Sequence, residues 1–270
     1  MTVSRFTVNG LSLAVSDSQG AGKPVVFQHG LGGDARQTVE VFPQTPAFRR
    51  ITLECRGHGQ SDPGELSALS LATFAGDVEA FVDERFDEPV ILGGISMGAA
   101  LALQIAVRCP QRVAALIVAR PAWTVTAAPV NMQPYAMVGK LLSDYEPDRA
   151  RTIFEESDIA RRLAVEAPDN LASLRSFFTR PPQAVTAALL TSIAGDGPGV
   201  DWQNIERITV PTLVIGHGRD ACHPFTHAVE LSQRISTATL VQITAKADDR
   251  ARYLSDFRSA LLEFLRGLMR

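Results

Sequence analysis

One pentapeptide constrains the fold of this chain more than any other feature: Gly-Ile-Ser-Met-Gly at residues 94–98. It follows the apolar run Pro89–Leu92, typical of a buried strand, and leads into Met97–Val107, which is apolar nearly all round and predicts a buried helix. A sharp strand-to-helix turn lifts a serine hydroxyl above a sheet, and the flanking glycines avoid clashes with nearby backbone. Ser96 is therefore the candidate nucleophile. The alternative is a glycine-rich turn whose serine only caps the helix.

Short apolar runs and amphipathic stretches alternate along most of the chain. The predicted strands are Phe6–Asn9, Leu11–Ser16, Pro24–Gln28, Arg50–Leu53, Pro89–Leu92, Arg112–Ala119, Pro211–Ile215 and Thr239–Ile243. The predicted helices of this alternating part are Ser70–Phe81, Met97–Val107 and Arg250–Leu268. This pattern predicts an α/β fold with a doubly wound, mostly parallel sheet, and the Asn9-Gly10 turn adds an antiparallel hairpin at its edge. Ligands of such sheets bind at the carboxyl ends of the strands.

The segment 121–200 breaks the alternation, because it contains no clear strand. Its helical stretches are Met132–Ser143, Asp148–Glu166, Asn170–Phe178 and Gln183–Ala194, separated by prolines. We therefore expect residues 1–120 and 201–270 to form the α/β core, and residues 121–200 to form a helical insertion folded over the sheet.

Composition limits the classes of function. The chain has 270 residues, 46% of them hydrophobic, which suits one large domain. A net charge of −3 argues against a nucleic-acid partner. Three scattered cysteines without a CxxC pair argue against a disulfide framework and a metal site. With no signal-peptide pattern and no bilayer-length apolar run, we expect a cytoplasmic protein that acts on a small molecule without a cofactor or a membrane. The assembly state stays open, a homodimer included.

Two further motifs each follow a predicted strand. His-Gly-Leu-Gly-Gly at residues 29–33 can offer backbone N–H groups to a developing oxyanion, and the Leu31 and Met97 N–H groups would form the pair. Taken alone, this motif favours an ordinary glycine-rich turn, but beside the serine turn at residues 94–98 it favours the oxyanion loop. Glu-Cys-Arg-Gly-His-Gly-Gln-Ser at residues 54–61 is, by its chemistry alone, only a polar loop.

In this order, the three motifs resemble the α/β-hydrolase fold family. HGLGG resembles the family's oxyanion loop, ECRGHGQS resembles its D-x-R-G-H-G-x-S loop, and GISMG resembles its nucleophile elbow. The Ser-Met pair is frequent among the family's esterases, lactonases and perhydrolases. The resemblance implies a serine nucleophile, and it implies that the insertion is a helical cap domain that shapes the substrate pocket.

The resemblance also implies a catalytic acid after the strand Pro211–Ile215. Asp220 lies in the following loop, four residues before Pro224, and would orient an imidazole and stabilise its charged form. The alternative is a loop aspartate that caps the next helix.

The family's catalytic histidine is missing from its usual place after the last strand. Counting from Ile243 puts that position at Asp248, and none of the five histidines follows His227. This matters because a positioned base contributes about 10²–10⁴-fold to a rate. His223 is the best replacement, since residues just before this proline usually approach the pocket in the family. His217, His227 and Lys246 are weaker candidates.

Further residues are expected near the pocket. His29 and His58 occupy loops where the family uses histidine structurally. The pocket candidates are His29, Arg120, Trp123 and Asp248, with Tyr135 as a further apolar wall. The charges around Asp248 could equally form a surface ion-pair set.

These observations favour a serine-type hydrolase of a small carboxylic ester, thioester or lactone, weakened or diverged by the missing histidine. Two alternatives stay open. One is a non-hydrolytic binding protein that keeps the pocket. The other is a lyase or acyltransferase on the same scaffold, in which the substrate or a carboxylate such as Asp248 handles the proton.

Overall fold

An eight-stranded sheet forms the centre of the computed structural model, which describes residues 2–269. The strands are β1 Thr2–Val8, β2 Leu11–Asp17, β3 Lys23–Gln28, β4 Phe48–Leu53, β5 Val90–Ile95, β6 Val113–Ala119, β7 Thr212–Gly216 and β8 Ala238–Gln242. Their order is β1-β2-β4-β3-β5-β6-β7-β8. The strands from β4 to β8 across the sheet pair in parallel, whereas β1 and β2 are antiparallel at one edge. The predicted doubly wound, mostly parallel sheet with an edge hairpin is confirmed.

Helices cover both faces of this sheet. They are α1 Ala35–Val41, α2 Leu71–Arg85, α3 Met97–Arg108, α4 Gln133–Asp144, α5 Pro147–Glu155, α6 Asp158–Glu166, α7 Pro168–Ser176, α8 Gln183–Ala194, α9 Trp202–Glu206, α10 Phe225–Arg234 and α11 Arg250–Gly267. Among the described residues, none of these helices is both long enough and apolar enough to cross a bilayer.

Two apolar cores separate the helices from the strands. On one face, Phe74 of α2, Leu101 of α3 and Leu231 of α10 pack with the strands. On the other face, Val41 of α1 and Phe257 of α11 do so. Strands buried on both faces need continuous apolar runs, which explains why the sequence of β5 to β7 lacks alternation.

Residues between β6 and β7 form helices and loops. The predicted helical stretches are helical, but the stretch 148–166 divides into α5 and α6. The division falls at Ser157, whose side chain accepts a hydrogen bond from the Ala160 N–H and so caps a new helix. Apolar residues continue at helical spacing across this boundary, so the sequence pattern predicts a single helix. The Ser157 cap instead begins a second helix.

Candidate active site

Ser96 stands on a strained turn between β5 and α3. Its backbone has φ 57° and ψ −109°, a conformation that non-glycine residues rarely adopt. A Cβ on Gly94 would lie 2.5 Å from the carbonyl carbon of Gly98, and one on Gly98 would lie 2.5 Å from the Gln28 carbonyl oxygen. Both glycines are therefore required by contact with backbone. The Ser96 side chain makes no hydrogen bond that caps α3, which is not the arrangement that the capping alternative predicts.

The Ser96 hydroxyl meets His223 instead. Ser96 Oγ lies 2.8 Å from His223 Nε2, and His223 Nδ1 lies 2.8 Å from Asp220 Oδ1. A carboxylate can only accept, so Nδ1 carries the proton and Nε2 is free to accept one from the serine. Ser96 and His223 each keep 7% of their surface exposed.

The candidate acid, Asp220, and the candidate base, His223, come from one loop after β7. The His223 backbone N–H donates to Asp220 Oδ1 at 3.1 Å, which folds the loop so that the two side chains face each other. Pro224 follows and ends the loop at the start of α10. In the family pattern, the histidine that reaches the serine follows the last strand. Here a histidine three residues after the candidate acid reaches it.

The usual histidine position holds no part of this cluster. Asp248 forms an ion pair with Arg219 at the surface, and about half of its side chain, 49%, is exposed. The expectation that Asp248 lines the pocket is wrong, and the alternative of a surface ion pair describes it. Lys246 is half-buried, and burial followed by the charge of Arg120 lowers its pKa.

Asp220 is held by donors from two other parts of the chain, in addition to His223 on its own loop. Arg120, just after β6, donates from Nε and Nη2 to Asp220 Oδ2 at 2.8 and 2.6 Å. Asn170 of α7 donates from Nδ2 to Oδ1 at 3.0 Å. Burial alone would raise the pKa of Asp220, but the charges of Arg120 and then His223 bring it well below its usual range. Asp220 is therefore ionised at neutral pH.

Arg120 does not line an open pocket, which corrects the prediction for this residue. Its side chain is only 8% exposed and lies against Asp220. Burial lowers its pKa, but the Asp220 charge more than offsets this, and the guanidinium stays charged.

His217 lies behind the acid and does not reach the serine. Its Nδ1 lies 2.6 Å from the Gly218 carbonyl and its Nε2 lies 3.4 Å from Asp220 Oδ2. Burial, followed by the charge of Arg120, lowers the pKa of His217, which favours the neutral ring.

Two buried histidines shape the loop at residues 29–33. His29 accepts from the Cys55 N–H through Nε2, and His58 accepts from the Gly32 N–H through Nε2, both at 3.0 Å. Burial lowers the pKa of both rings, which keeps them neutral and able to accept. His29 is fully buried, so it is a structural residue and not a pocket wall.

The backbone N–H groups expected to bind an oxyanion lie at this loop and at the elbow. Met97 is the first residue of α3, where helix geometry leaves N–H groups without partners in the helix. Leu31 lies between Gly30, whose N–H donates to Gln37 Oε1, and Gly32. The ring of Phe177 covers Gly32 and packs at 5.9 Å against that of Tyr135.

Trp123 is fully buried, and its indole N–H donates to the Asp196 carbonyl at 3.0 Å. The prediction that it lines the pocket is therefore wrong, and it belongs to the core. His227 is half-buried on α10, and burial lowers its pKa. Asn170 was not predicted at all, because an asparagine inside an insertion gives no sign of a partner 50 residues away.

Cavity volume by itself would indicate a ligand site away from Ser96. A concavity of about 770 Å³ lies at the amino ends of the central strands, where Pro24, Pro89 and Pro211 contribute to its wall. A cavity of about 410 Å³ lies beside the glycine loop, between Gly32 and Arg180. Within residues 2–269, no group of three or more His, Cys, Asp or Glu side chains is arranged to hold a metal ion.

The sheet topology and the strained serine turn define an α/β-hydrolase. The chain matches the family described as serine aminopeptidase, S33, over residues 19–247, and it belongs to that family.

Curated relatives agree with this class. An AB hydrolase superfamily protein, YisY, of Bacillus subtilis is 27% identical over 250 residues, which cover 87% of this chain and 88% of that protein. A pimeloyl-(acyl-carrier protein) methyl ester esterase of Neisseria meningitidis is 25% identical over 92% of this chain and 95% of its own. The dihydrolipoyllysine-residue acetyltransferase component of an acetoin cleaving system of Cupriavidus necator is 36% identical, but the match spans 42% of this chain and only 30% of that protein.

Solved structures show the same fold. An esterase of Thermogutta terrifontis superposes with a TM-score of 0.74 at 21% identity, covering 99% of both chains. The enol-lactonase of Burkholderia xenovorans superposes with a TM-score of 0.72 at 22% identity, covering 97% of this chain and all of that one.

Proposed function

We propose that this protein hydrolyses a small carboxylic ester, thioester or lactone, with Ser96 as nucleophile, His223 as general base and Asp220 as the acid that orients it. The hydrogen-bonded chain from Ser96 Oγ through His223 to Asp220 carries the proposal, with 2.8 Å at both steps. Serine is a weak nucleophile until a positioned base accepts its proton, and this geometry supplies the base.

Each step follows from the atoms present. His223 Nε2 accepts the Ser96 proton as Oγ attacks the substrate carbonyl carbon. The resulting oxyanion accepts hydrogen bonds from the Leu31 and Met97 N–H groups. The protonated imidazole then gives its proton to the leaving oxygen or sulfur, and an acyl-enzyme remains. A water molecule, deprotonated by the same nitrogen, attacks the acyl carbon. The bond from this carbon to Ser96 Oγ then breaks, the imidazolium returns its proton to Oγ, and the acid is released.

We further propose that residues 121–200 form a cap over a core built from residues 1–120 and 201–270. Phe177 and Tyr135 support this division, because both come from the insertion: Phe177 lies against Gly32 of the glycine loop, and Tyr135 packs on Phe177. The cap would set which acyl groups reach Ser96.

The ester class is favoured by what the relatives are named for, among them a methyl ester esterase and an enol-lactonase. The binding-protein and lyase hypotheses were motivated by a missing base. Since His223 lies within hydrogen-bond distance of Ser96, that motive no longer supports them.

Labelling with a fluorophosphonate and turnover of p-nitrophenyl esters test the proposal together. Ser96→Ala should abolish labelling, detected by intact mass, and turnover. His223→Gln should slow both by about 10²–10⁴-fold, the share that a general base contributes. His227→Gln is the matched control, because it removes a half-buried histidine four residues further on and should leave both rates near wild type.

Two results would count against the proposal. Unlabelled, folded wild-type protein would mean that the serine is not activated. Turnover that survives Ser96→Ala would mean that another group attacks the substrate.

A further inference from the structure

The candidate acid and base of this site share one short loop, so the alignment of both side chains depends on how firmly that loop is held. Where the two residues follow different strands, the sheet fixes each of them independently. Here Asp220 and His223 are both fixed only as well as the loop between β7 and α10 is fixed. The structure shows two buried side chains from outside this loop that contact it at its acid.

The first is Arg120, which binds the carboxylate oxygen that His223 does not use. Both of its bonds go to Oδ2, while His223 Nδ1 bonds Oδ1. Arg120 has φ 47°, a strained value for a non-glycine residue, and its backbone N–H donates to the Ile215 carbonyl at 2.7 Å. Its guanidinium lies over the Tyr253 ring at 5.8 Å, so its position is fixed from two sides.

The second is Asn170, which joins the inserted helices to the loop. Its Nδ2 donates to Asp220 Oδ1 at 3.0 Å, and its Oδ1 accepts from the Ala221 and Cys222 N–H groups at 2.8 and 3.1 Å. Only 2% of Asn170 is exposed. The Asn170 amide thus donates to the Asp220 carboxylate and accepts from two backbone N–H groups of the loop.

We infer that Arg120 and Asn170 are positioning residues: Arg120 fixes Asp220 through Oδ2, Asn170 fixes it through Oδ1, and together they keep His223 aligned on Ser96. The role in turnover rests on the proposed function, but the effect on the imidazole does not. Neither residue touches the reacting atoms.

The hydrogen bond between His223 and Asp220 gives the inference a measurable consequence. Arg120 Nη2 lies 3.2 Å from His223 Nδ1, which already carries a proton, so the contact brings two donors together. If Arg120 and Asn170 hold the carboxylate in place, losing either should weaken the hydrogen bond from His223 Nδ1 to Asp220 Oδ1. The Nδ1 proton reports this bond directly, because its NMR signal lies at low field when it is shared with a carboxylate.

Other titratable and charged groups surround Arg120 and His223, so all variants are compared at the same pH. They are His217 and Cys222 on the loop, Asp169 on α7, Tyr135 on α4, His227 on α10, Lys246 before α11 and Tyr253 on α11.

NMR of the exchangeable histidine ring protons, recorded at one pH, tests this without depending on turnover. The variants are Arg120→Met, which removes the charge, and Asn170→Asp, which keeps the size but places a second carboxylate beside Asp220. The His223 signal is assigned from its loss in His223→Gln. Arg56→Met is the matched control, because Arg56 forms another buried, two-bond pair, with Asp77, from the loop after β4 to α2.

Both test variants should weaken or remove the low-field signal of the His223 Nδ1 proton, because the carboxylate that shares this proton is no longer held in place. Their kcat for a p-nitrophenyl ester should fall at least about tenfold, within the share of a general base, with KM little changed. Arg120→Lys, which keeps the charge but has one nitrogen where Arg120 donates to Oδ2 from two, should retain part of this signal and still lose kcat. Arg56→Met should change neither.

An unchanged low-field signal in folded Arg120→Met would overturn the inference, whatever the enzyme turns over. Circular dichroism verifies the fold, and Asn170→Asp provides the same NMR readout if Arg120→Met does not fold. A signal that is present in the wild type and lost in the variants, in an enzyme that labels no fluorophosphonate, would uphold the positioning and contradict the proposed function alone.

Discussion

Replacing Gly32 with alanine should damage the glycine loop through one identifiable contact. Gly32 has φ 73°, and a Cβ there would lie 2.1 Å from Cε1 of Phe177. The left-handed backbone costs an alanine roughly 1–2 kcal/mol. Forcing the methyl group against a packed ring typically costs about 1–3 kcal/mol more. We expect the free energy of unfolding to fall by about 2–5 kcal/mol.

A double-mutant cycle with Phe177→Ala separates the two costs. Phe177→Ala alone should cost about 3–5 kcal/mol, because the ring is buried. In that background Gly32→Ala should cost only the backbone share of roughly 1–2 kcal/mol. The coupling should therefore be about 1–3 kcal/mol, as expected for residues in contact. Urea unfolding followed by tryptophan fluorescence measures it.

Activity should report the same contact. Moving Gly32 displaces the neighbouring Leu31 N–H, and loss of one oxyanion donor typically costs about 10²–10³-fold in kcat. Gly76→Ala is the control, because this glycine lies within α2 and a Cβ there meets nothing within 4 Å. That change should stabilise by roughly 0.5–1 kcal/mol. An equal cost of Gly32→Ala with and without the Phe177 ring would refute the reasoning.

Two further outcomes follow from the site. Asp248→Asn should leave kcat/KM for a p-nitrophenyl ester unchanged and shift stability by less than about 1 kcal/mol, because its ion pair with Arg219 is half exposed; a large loss of activity would return Asp248 to the site. Asp220 has a pKa well below its unfolded value of about 3.9, so the stability it contributes is present above that pH and is lost as the pH falls through the folded value. Urea unfolding between pH 6 and pH 2, read against Asp220→Asn, should show a shallower pH dependence in the variant, and parallel curves would contradict this.

Local sequence was sufficient for most of the fold. Strands such as β5 and β6 are continuous apolar runs, and a run of this kind specifies burial on both faces whatever lies around it. The serine turn was equally readable, because Gly94 and Gly98 are required by backbone contacts within one turn. The division between α5 and α6 was missed, since a single capping serine interrupts an otherwise continuous helical spacing.

Side chains around the site were harder to predict. Arg120 and Trp123 both follow β6 closely, and the sequence gives them equal reason to face a pocket. In the structure Arg120 binds Asp220, and Trp123 donates to a backbone carbonyl in the core. Burial of these side chains depends on which distant loop packs over them, which sequence spacing does not encode.

The sequence by itself determined the order of the motifs along the chain and the candidate serine and aspartate, and it named His223 as the best replacement for the histidine missing after the last strand. Only the tertiary structure decided between His223 and the other candidates, by bringing its ring within hydrogen-bond distance of Ser96, 127 residues away. It also brought Arg120 and Asn170 to Asp220. Local propensities act within a few residues, whereas a buried charge is satisfied by whichever donors the packing of the whole chain delivers to it.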